Sequence, residues 1–194
     1  ILLMRDSEKS RAAYAEINAV SDNAEIHLVY ADLSSISSIK EAALEVGNKC
    51  SKVDILINNA GLPKRKAELS VDGFEMTYAV NLLAPFLLTN LLLPLVEKSQ
   101  AGRIINLTSE LYKKGKIELD YVSSLENFDG SKAYSNSKLM VVMNTLTLAN
   151  NLKDTGITVN CVHPGVVGTD VMRDYPKWFG KLINPFISKP EVGA

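Results

Sequence analysis

Residues 54–61 read DILINNAG, a short apolar run that ends in Asn-Ala-Gly, and this stretch predicts a buried β-strand followed by a turn. Further strands are predicted at 25–33 (EIHLVYADL), 103–109 (RIINLTS) and 157–163 (ITVNCVH), and residues 1–4 read as the tail of another. Helical patterns separate these runs, and such alternation predicts βαβ units with a parallel sheet. Because the strands are continuously apolar, we expect both faces of the sheet to be covered, as in a doubly wound α/β fold.

The predicted helices share amphipathic spacing and polar residues at their starts. They cover residues 6–20, 35–50, 72–97 and 131–153. Asp6 or Ser7 can cap the first helix, and Ser34 or Ser35 the second. The first helix places four apolar residues at the spacing of one buried face, namely Ala12, Ala13, Ile17 and Val20.

Composition limits the classes of protein that the chain can belong to. A length of 194 residues predicts one domain over 1–194, and 46% hydrophobic with 22% charged residues excludes disorder. A net charge of −1 argues against nucleic acid as a partner. Two distant cysteines and two histidines predict neither a disulfide framework nor a metal site, and they indicate a reducing compartment.

Residues 82–96 (LLAPFLLTNLLLPLV) form the most apolar stretch of the chain. The stretch is shorter than the roughly 20 residues of a membrane span, and Pro85, Asn90 and Pro94 interrupt it. We therefore expect a buried helix in the core or at a subunit interface.

The sharpest chemical pattern is Tyr134-Ser-Asn-Ser-Lys138. Positions i and i+4 share one helix face, so the phenol and the ammonium project to one place. A nearby cation favours the phenolate form of a tyrosine and makes proton transfer feasible near neutral pH. The alternative is an amphipathic helix with a packed tyrosine and a surface lysine, because this spacing alone is a weak signal.

Several further motifs occur with this pattern, each in its expected context. In chain order they are Asn58-Asn59-Ala60-Gly61 after a strand, Asn81 in AVNLLAPF, Thr108-Ser109 at a strand end, Tyr134 with Lys138, and His163-Pro164-Gly165. Together they resemble the short-chain dehydrogenase/reductase family, and over nearly the whole chain. The resemblance is closest to the retinol-dehydrogenase-like branch, on Arg5-Asp6-Ser7-Glu8-Lys9, on Val71-Asp72-Gly73-Phe74-Glu75 and on the 25-residue spacing from Ser109 to Tyr134.

The resemblance implies a Rossmann-type fold and four catalytic residues. Tyr134 would be the general acid/base that exchanges a proton with the substrate oxygen, and Lys138 would lower the Tyr134 pKa and bind the nicotinamide ribose. Ser109 would hold the substrate carbonyl or hydroxyl. Asn81 would kink its helix and position a water in a proton relay.

The resemblance also implies which residues bind a nicotinamide dinucleotide. Besides Tyr134 and Lys138, they are Arg5, Asp32, Leu33, Asn58, Ala60, Gly61, Pro164, Gly165, Val167 and Thr169. Asp32 would bind the adenine edge, although it can instead cap the next helix. Plain turns are the alternative for the segments around Gly61 and Gly165.

Arg5 bears on the choice of cofactor. An acidic residue at the end of this strand binds the ribose 2′-OH of NAD, whereas an arginine accommodates the 2′-phosphate of NADP. The Met4-Arg5 pair therefore favours NADP(H) over NAD(H), and Asp6, the competing acidic residue, reads better as a helix cap.

One family motif is absent from the sequence, the glycine-rich Thr-Gly-xxx-Gly-x-Gly turn. We therefore expect a chain that is truncated at its start. We expect truncation at its end too, because residues 189–194 (KPEVGA) read like a helix that has just begun. In the family the strand of that turn lies between the strand ending at Met4 and the strand ending at Asn58, so we expect the sheet to be split there.

The resemblance implies an NADP(H)-dependent oxidoreductase that interconverts a small lipophilic alcohol and carbonyl compound of the retinoid, steroid or xenobiotic kind. We expect a homodimer, located in the cytoplasm or on the cytosolic face of an intracellular membrane; membrane attachment itself stays open. The main alternative is a catalytically inactive, truncated dehydrogenase that serves as an interaction or dimerisation module. The sugar-nucleotide epimerase branch shares the Tyr/Lys spacing but fits the turns at 58–61 and 163–165 poorly.

Overall fold

A computed structural model describes residues 1–21 and 25–165 of the chain. Within these residues, five strands form two parallel sheets. One sheet pairs β1 with β2, and the other has the order β3-β4-β5. The strands are β1 (Leu2–Met4), β2 (Leu28–Tyr30), β3 (Ile55–Asn58), β4 (Arg103–Leu107) and β5 (Thr158–Val162). The predicted α/β class is confirmed, and the division falls between β1 and β3, where the sequence predicted it.

The helices lie between the strands in the predicted order. They are α1 (Glu8–Val20), α2 (Ile36–Lys49), α3 (Met76–Tyr78), α4 (Ala84–Val96) and α5 (Gly130–Asn151). A π-helical turn, Ala79–Leu83, joins α3 to α4. Two 3-10 helices, Glu110–Lys114 and Leu119–Val122, lie between β4 and α5, and the sequence analysis did not predict them.

Two helix starts resolve the alternatives for the capping residues. Ser7 caps α1 by accepting from the backbone N–H of Ser10, and Ser35 caps α2 by accepting from that of Ser38. The interpretation of Asp6 as a cap was wrong, because its carboxylate pairs with Arg11.

The prediction that both faces of the sheet are covered does not hold for β3. Ile55 and Ile57 of β3 are 54% and 56% exposed, whereas Leu56 between them is buried. No residue of α1 is buried either, so the predicted apolar face of that helix does not pack. Apolar periodicity alone does not ensure that a partner surface covers the face.

Two hydrophobic clusters hold the described residues together. The larger one packs α2 and α4 on the sheets, and its members include Val29, Ile39, Val46, Leu92 and Ile104. The smaller one joins the π-helical turn to α5 through Tyr78, Leu82, Ala133 and Val141, with partly buried Tyr121, Val122 and Phe128 against them. The smaller cluster therefore sets the position of α5, the helix that carries Tyr134 and Lys138.

A chain of side-chain hydrogen bonds crosses the larger sheet near its carboxyl edge. Asn58 Nδ2 donates to Thr89 Oγ1 at 2.9 Å and to Asn106 Oδ1 at 2.8 Å. Asn106 Nδ2 in turn donates to Thr145 Oγ1 at 2.9 Å. Buried polar groups must be paired in this way, and these bonds tie β3 and β4 to α4 and α5.

The apolar stretch at 82–96 is helical, and the continuous helix is longer than that stretch. Met76–Val96 is long and apolar enough to cross a membrane by length and composition alone, but 50% of its most apolar window is buried inside the fold. The predicted packing of this segment into the core is thus confirmed for α4, whose Leu88, Leu92 and Val96 belong to the larger cluster.

Candidate active site

The candidate site lies at the carboxyl ends of β3, β4 and β5, the edge where ligands bind in open parallel sheets. Thr108 follows β4 and fastens this edge to α5. Its backbone N–H donates to the Val162 carbonyl at 2.9 Å, and its hydroxyl donates to the Lys138 carbonyl at 3.1 Å. The end of β4 and the middle turns of α5 therefore move as one unit.

Lys138 is the most unusual ionisable group of this site. The residue is only 4% exposed, and its Nζ donates to the carbonyl oxygen of Leu107 at 2.8 Å. The same Nζ lies 5.8 Å from the centroid of the Tyr134 ring. Burial disfavours the charged form and lowers the pKa of Lys138 to about 8. The ammonium is thus held beside the tyrosine and can gain or lose a proton near physiological pH.

Asn81 lies at the centre of the π-helical turn Ala79–Leu83 and is 2% exposed. Its Oδ1 accepts from the Leu62 N–H at 2.8 Å, and its Nδ2 donates to the Leu62 carbonyl at 3.0 Å and to Ser137 Oγ at 3.2 Å. The Ser137 hydroxyl donates onward to the Tyr134 carbonyl at 2.8 Å. Asn81 thereby connects the turn after β3 to the start of α5, and π-helical turns are frequent at functional sites.

Gly61 brings the turn after β3 close to both Lys138 and Asn81. A Cβ placed on Gly61 would lie 3.3 Å from Lys138 Nζ and 3.4 Å from Asn81 Oδ1. The two side chains therefore converge on the turn that the sequence analysis selected, and a glycine leaves them room.

Ser109 and Tyr134 approach the site from two different elements. Ser109 follows β4 and begins the first 3-10 helix, where its Oγ accepts from the Leu111 N–H at a long 3.4 Å. Tyr134 is half-buried in the second turn of α5. Asp129 starts that helix by accepting from the N–H groups of Ser131 and Lys132. The predicted catalytic residues thus lie on the elements that converge at this edge.

Three residues predicted to bind the cofactor lie on the other sheet. Arg5 is exposed directly after β1, and Asp32 is exposed after β2. The Asp32 carboxylate accepts from both the N–H and the hydroxyl of Ser34, so it forms a turn while Ser35 caps α2. Leu33 lines an apolar groove of about 270 Å³ together with Phe74 and other side chains of α2 and α4.

The remaining predicted cofactor residues differ in their surroundings. The side-chain amide nitrogen of Asn58 donates its hydrogen bonds to other residues of the fold, as described above, whereas Ala60 is exposed. Gly165 has a φ of +82°, in the region that favours glycine, and follows half-buried Pro164. Val167 and Thr169 lie outside the described residues.

Sequence reasoning missed the residues that support this cluster. The Leu107 carbonyl and both backbone groups of Leu62 are main-chain atoms, and no side-chain pattern identifies them. Asn136 and Ser137 lie inside the Tyr134–Lys138 pattern. Polar residues at these positions of a helix that packs against the sheet were the sequence signal from which their role could have been predicted.

The chain belongs to the short chain dehydrogenase family, since the sequence profile of that description matches residues 1–179. Human retinol dehydrogenase 13 is 41% identical over 174 residues, which cover 89% of this chain and 53% of that protein. Human retinol dehydrogenase 14 is 43% identical over 145 residues, or 73% of this chain and 42% of that protein. These relatives confirm the retinol-dehydrogenase-like branch. The chain spans about half the length of the relatives it matches.

Comparison with solved structures confirms the Rossmann-type fold of the family. The NADPH-bound carbonyl reductase from chicken fatty liver superposes with a TM-score of 0.66 at 28% identity. The superposition covers 87% of this chain and 69% of that protein.

The buried ammonium leads to a prediction about stability. In the folded protein Lys138 has a pKa of about 8, against 10.5 for an ordinary lysine. The unfolded state therefore binds more protons between these two values, and the free energy of unfolding rises with pH across that window. We expect Lys138→Met to remove this rise. Between pH 7 and pH 10.5 the free energy of unfolding of the unmodified protein should therefore increase by up to about 3 kcal/mol relative to that of Lys138→Met.

Chemical denaturation of both proteins at a series of pH values measures this difference. Lys153→Met, at an exposed lysine that follows α5, is the control for the loss of one positive charge. If the two proteins differ in free energy of unfolding by the same amount at pH 7 and at pH 10, that result would contradict the lowered pKa of Lys138.

Proposed function

We propose that this chain carries the proton-transfer centre of an NADP(H)-dependent oxidoreductase that interconverts alcohols and carbonyl compounds. The single observation that carries the proposal is the buried Lys138 ammonium, held by the Leu107 carbonyl with its Nζ 5.8 Å from the Tyr134 ring centroid. Lysines are almost never fully buried without a specific role or partner, and this one lies at the ligand-binding edge of the sheet.

In the proposed reaction Tyr134 is the general acid/base. In carbonyl reduction its hydroxyl proton passes to the substrate oxygen, and in alcohol oxidation the proton returns to the phenolate. The Lys138 cation favours the phenolate and so makes the transfer easier at neutral pH. Ser109 donates a hydrogen bond to the oxygen on which charge develops. When bound, the nicotinamide ring supplies or accepts the hydride.

The residues present fit a nicotinamide dinucleotide in two respects. The carboxyl edges of both sheets carry exposed polar groups, with Arg5 and Asp32 on one sheet and Asn59, in the turn that contains Gly61, on the other. A guanidinium binds a phosphate through paired hydrogen bonds, so Arg5 favours NADP(H) over NAD(H). NADPH in the similar carbonyl reductase supports the same choice. Asp32, Leu33, Asn58, Ala60, Gly61, Pro164 and Gly165 are the proposed further contacts.

The proposed substrate is a small lipophilic alcohol or carbonyl compound. The relatives named retinol dehydrogenase support this class. So do the exposed apolar side chains that follow Ser109, namely Leu111, Ile117 and Leu119, since exposed apolar groups beside a site can contact an apolar ligand. The free cysteines Cys50 and Cys161 fit the proposed location in the cytoplasm or on the cytosolic face of an intracellular membrane.

The first prediction of this proposal concerns Tyr134. We expect Tyr134→Phe to reduce kcat by at least about a hundredfold, the scale of general acid–base catalysis, because the variant lacks the transferable proton. NADPH binding, measured by fluorescence titration, should stay nearly unchanged. Tyr30→Phe, at an exposed tyrosine of β2, is the control.

Two outcomes would contradict different parts of this proposal. Retained turnover in Tyr134→Phe would contradict the role of the tyrosine. An unmodified protein that neither binds NADPH nor turns over would favour the alternative, an inactive interaction module.

The second prediction concerns cofactor choice. We expect Arg5→Asp to shift the ratio of kcat/KM values from NADPH toward NADH by at least about tenfold, because the carboxylate repels the 2′-phosphate and accepts from a 2′-OH. Arg103→Asp makes the same charge change at the exposed first residue of β4, in the other sheet, and is the control. An unchanged ratio in Arg5→Asp would show that another residue discriminates.

We also propose a homodimer formed through α4 and α5. The supporting observation is that both helices expose large apolar side chains, Phe86 and Leu91 on α4 and Met143 and Leu146 on α5. Apolar surface of this kind is typical of the core of a dimer interface.

The proposed dimer predicts that a charge introduced on the exposed apolar face of α5 lowers the mass of the assembly. Leu146 is 65% exposed, and Leu146→Glu should convert the dimer to a monomer in analytical ultracentrifugation because a carboxylate is costly in an apolar interface. Leu44→Glu, at a 71% exposed leucine of α2, should leave the mass unchanged. A monomeric mass for the unmodified protein would exclude the proposed assembly.

A further inference from the structure

The first turns of α5 carry two groups of side chains on different sides of the helix. Tyr134 and Lys138 lie four residues apart and share one side, and Lys132 and Asn136 share another for the same reason. Asn136 is rotated from Tyr134 by two steps of about 100° each, which places it nearly opposite. Asn136 therefore cannot touch a substrate held by Tyr134, although it lies between the two catalytic positions.

Both ends of the Asn136 carboxamide bind one neighbouring stretch of chain, residues 110–122, which we name the 110–122 segment. The Oδ1 atom accepts from the Lys116 N–H at 2.7 Å, and the Nδ2 atom donates to Glu118 Oε2 at 3.0 Å. Asn136 is 1% exposed, so the carboxamide itself is shielded from water, while Glu118 lies partly in solvent. A carboxamide is suited to this role, because it offers an acceptor atom and a separate donor atom on one small group.

Glu118 is held from a second direction. Lys132, one turn before Asn136 on α5, places its Nζ 2.9 Å from Glu118 Oε2 and 4.7 Å from the centroid of the Tyr121 ring. The paired lysine, together with Asn136, lowers the pKa of Glu118. The carboxylate therefore stays charged at neutral pH and accepts from both side chains of α5.

The 110–122 segment begins at the proposed substrate-binding residue. Ser109 immediately precedes the first 3-10 helix and caps it through Leu111. Gly115, at the end of that helix, lies so close to α5 that an added Cβ would be 2.5 Å from the Ser135 carbonyl oxygen. The next residue, Lys116, is the one whose N–H Asn136 binds. The chain after Ser109 is thus held on α5 within a few residues.

We propose that Asn136 is a positioning residue for the reaction. On one side, Ser109 is fixed by β4, through the bond from the Thr108 N–H to the Val162 carbonyl. On the other side, Asn136 fixes the path of the 110–122 segment on the same helix that carries Tyr134. The distance between the Ser109 and Tyr134 hydroxyls then depends on the Asn136 carboxamide. This inference rests on the proposed function, because that distance matters only if both hydroxyls bind the substrate oxygen.

The test compares variants of Asn136 by hydrogen exchange and by turnover. Asn136→Leu removes both hydrogen bonds at similar volume, and Asn136→Asp keeps the acceptor for Lys116 but repels Glu118. Combining Asn136→Asp with Glu118→Gln restores a donor–acceptor pair in the reverse direction. Asn150→Leu, at an exposed residue in the last turn of α5, is the matched control, and Glu118→Gln alone is the control for the pair.

We expect the Lys116 amide to exchange at least about tenfold faster in Asn136→Leu, because that amide loses its acceptor. In Asn136→Asp the acceptor remains, and repulsion between the two carboxylates at 136 and 118 should speed this exchange less. We expect kcat to fall by about 10- to 100-fold, the scale of an ångström-sized misplacement, while the KM for NADPH stays within about twofold. The paired substitution should recover most of both losses. A merely structural role would move the thermal midpoint without this separation of kcat from KM and without the recovery.

Three results would count against parts of this account in distinguishable ways. Unchanged exchange at Lys116 in Asn136→Leu would overturn the contact with the segment. Faster exchange with an unchanged kcat would overturn the positioning role. An unmodified protein without turnover would overturn the proposed function itself, and the exchange data would still show whether Asn136 holds the segment.

Discussion

The described residues are organised around an ammonium group that the fold removes from water. Burial of a charge costs several kcal/mol unless polar groups replace the lost hydration. Here the Leu107 carbonyl provides one such group, and the nearby Tyr134 ring provides the negative face of an aromatic system. The remaining cost appears as the lowered pKa of Lys138. Keeping this group in place requires that α5 and the end of β4 stay in register, which explains why Thr108 bonds to the Lys138 carbonyl.

The same requirement explains the π-helical turn. Tyr78 and Leu82 flank Asn81 and pack on Ala133 and Val141 of α5, so the turn and α5 share one small core. Within that arrangement, Asn81 binds both backbone groups of Leu62 and reaches Ser137. The turn after β3, the π-helical turn and α5 are therefore held together by one carboxamide, as α5 and the 110–122 segment are held by another on Asn136.

The sequence was informative wherever chemistry follows from spacing. The strand and helix order, and cap candidates that include Ser7 and Ser35, could be predicted because side-chain periodicity and polar residues at helix starts encode them. The grouping of Gly61, Asn81 and Lys138 at one site was predicted from the family resemblance and not from periodicity. The 3-10 helices after Ser109 carry no periodic pattern, and the Leu107 and Leu62 backbone contacts depend on tertiary packing. The predicted face of α1 failed because periodicity indicates which side is apolar but not whether a partner surface is present.

The two sheets divide the proposed reaction into parts that different contacts control. The acid–base residues belong to the β3–β4–β5 sheet with α5, whereas Arg5 and Asp32 follow strands of the β1–β2 sheet. The two parts are joined by the packing of α2 on α4 and by the bond from the Ile36 N–H to the Asp72 carboxylate at 2.7 Å. A dinucleotide that contacts both edges would therefore depend on the α2–α4 packing for its alignment. Proton transfer, by contrast, depends on the smaller core around Tyr78, so substitutions in the two cores should separate cofactor binding from chemistry.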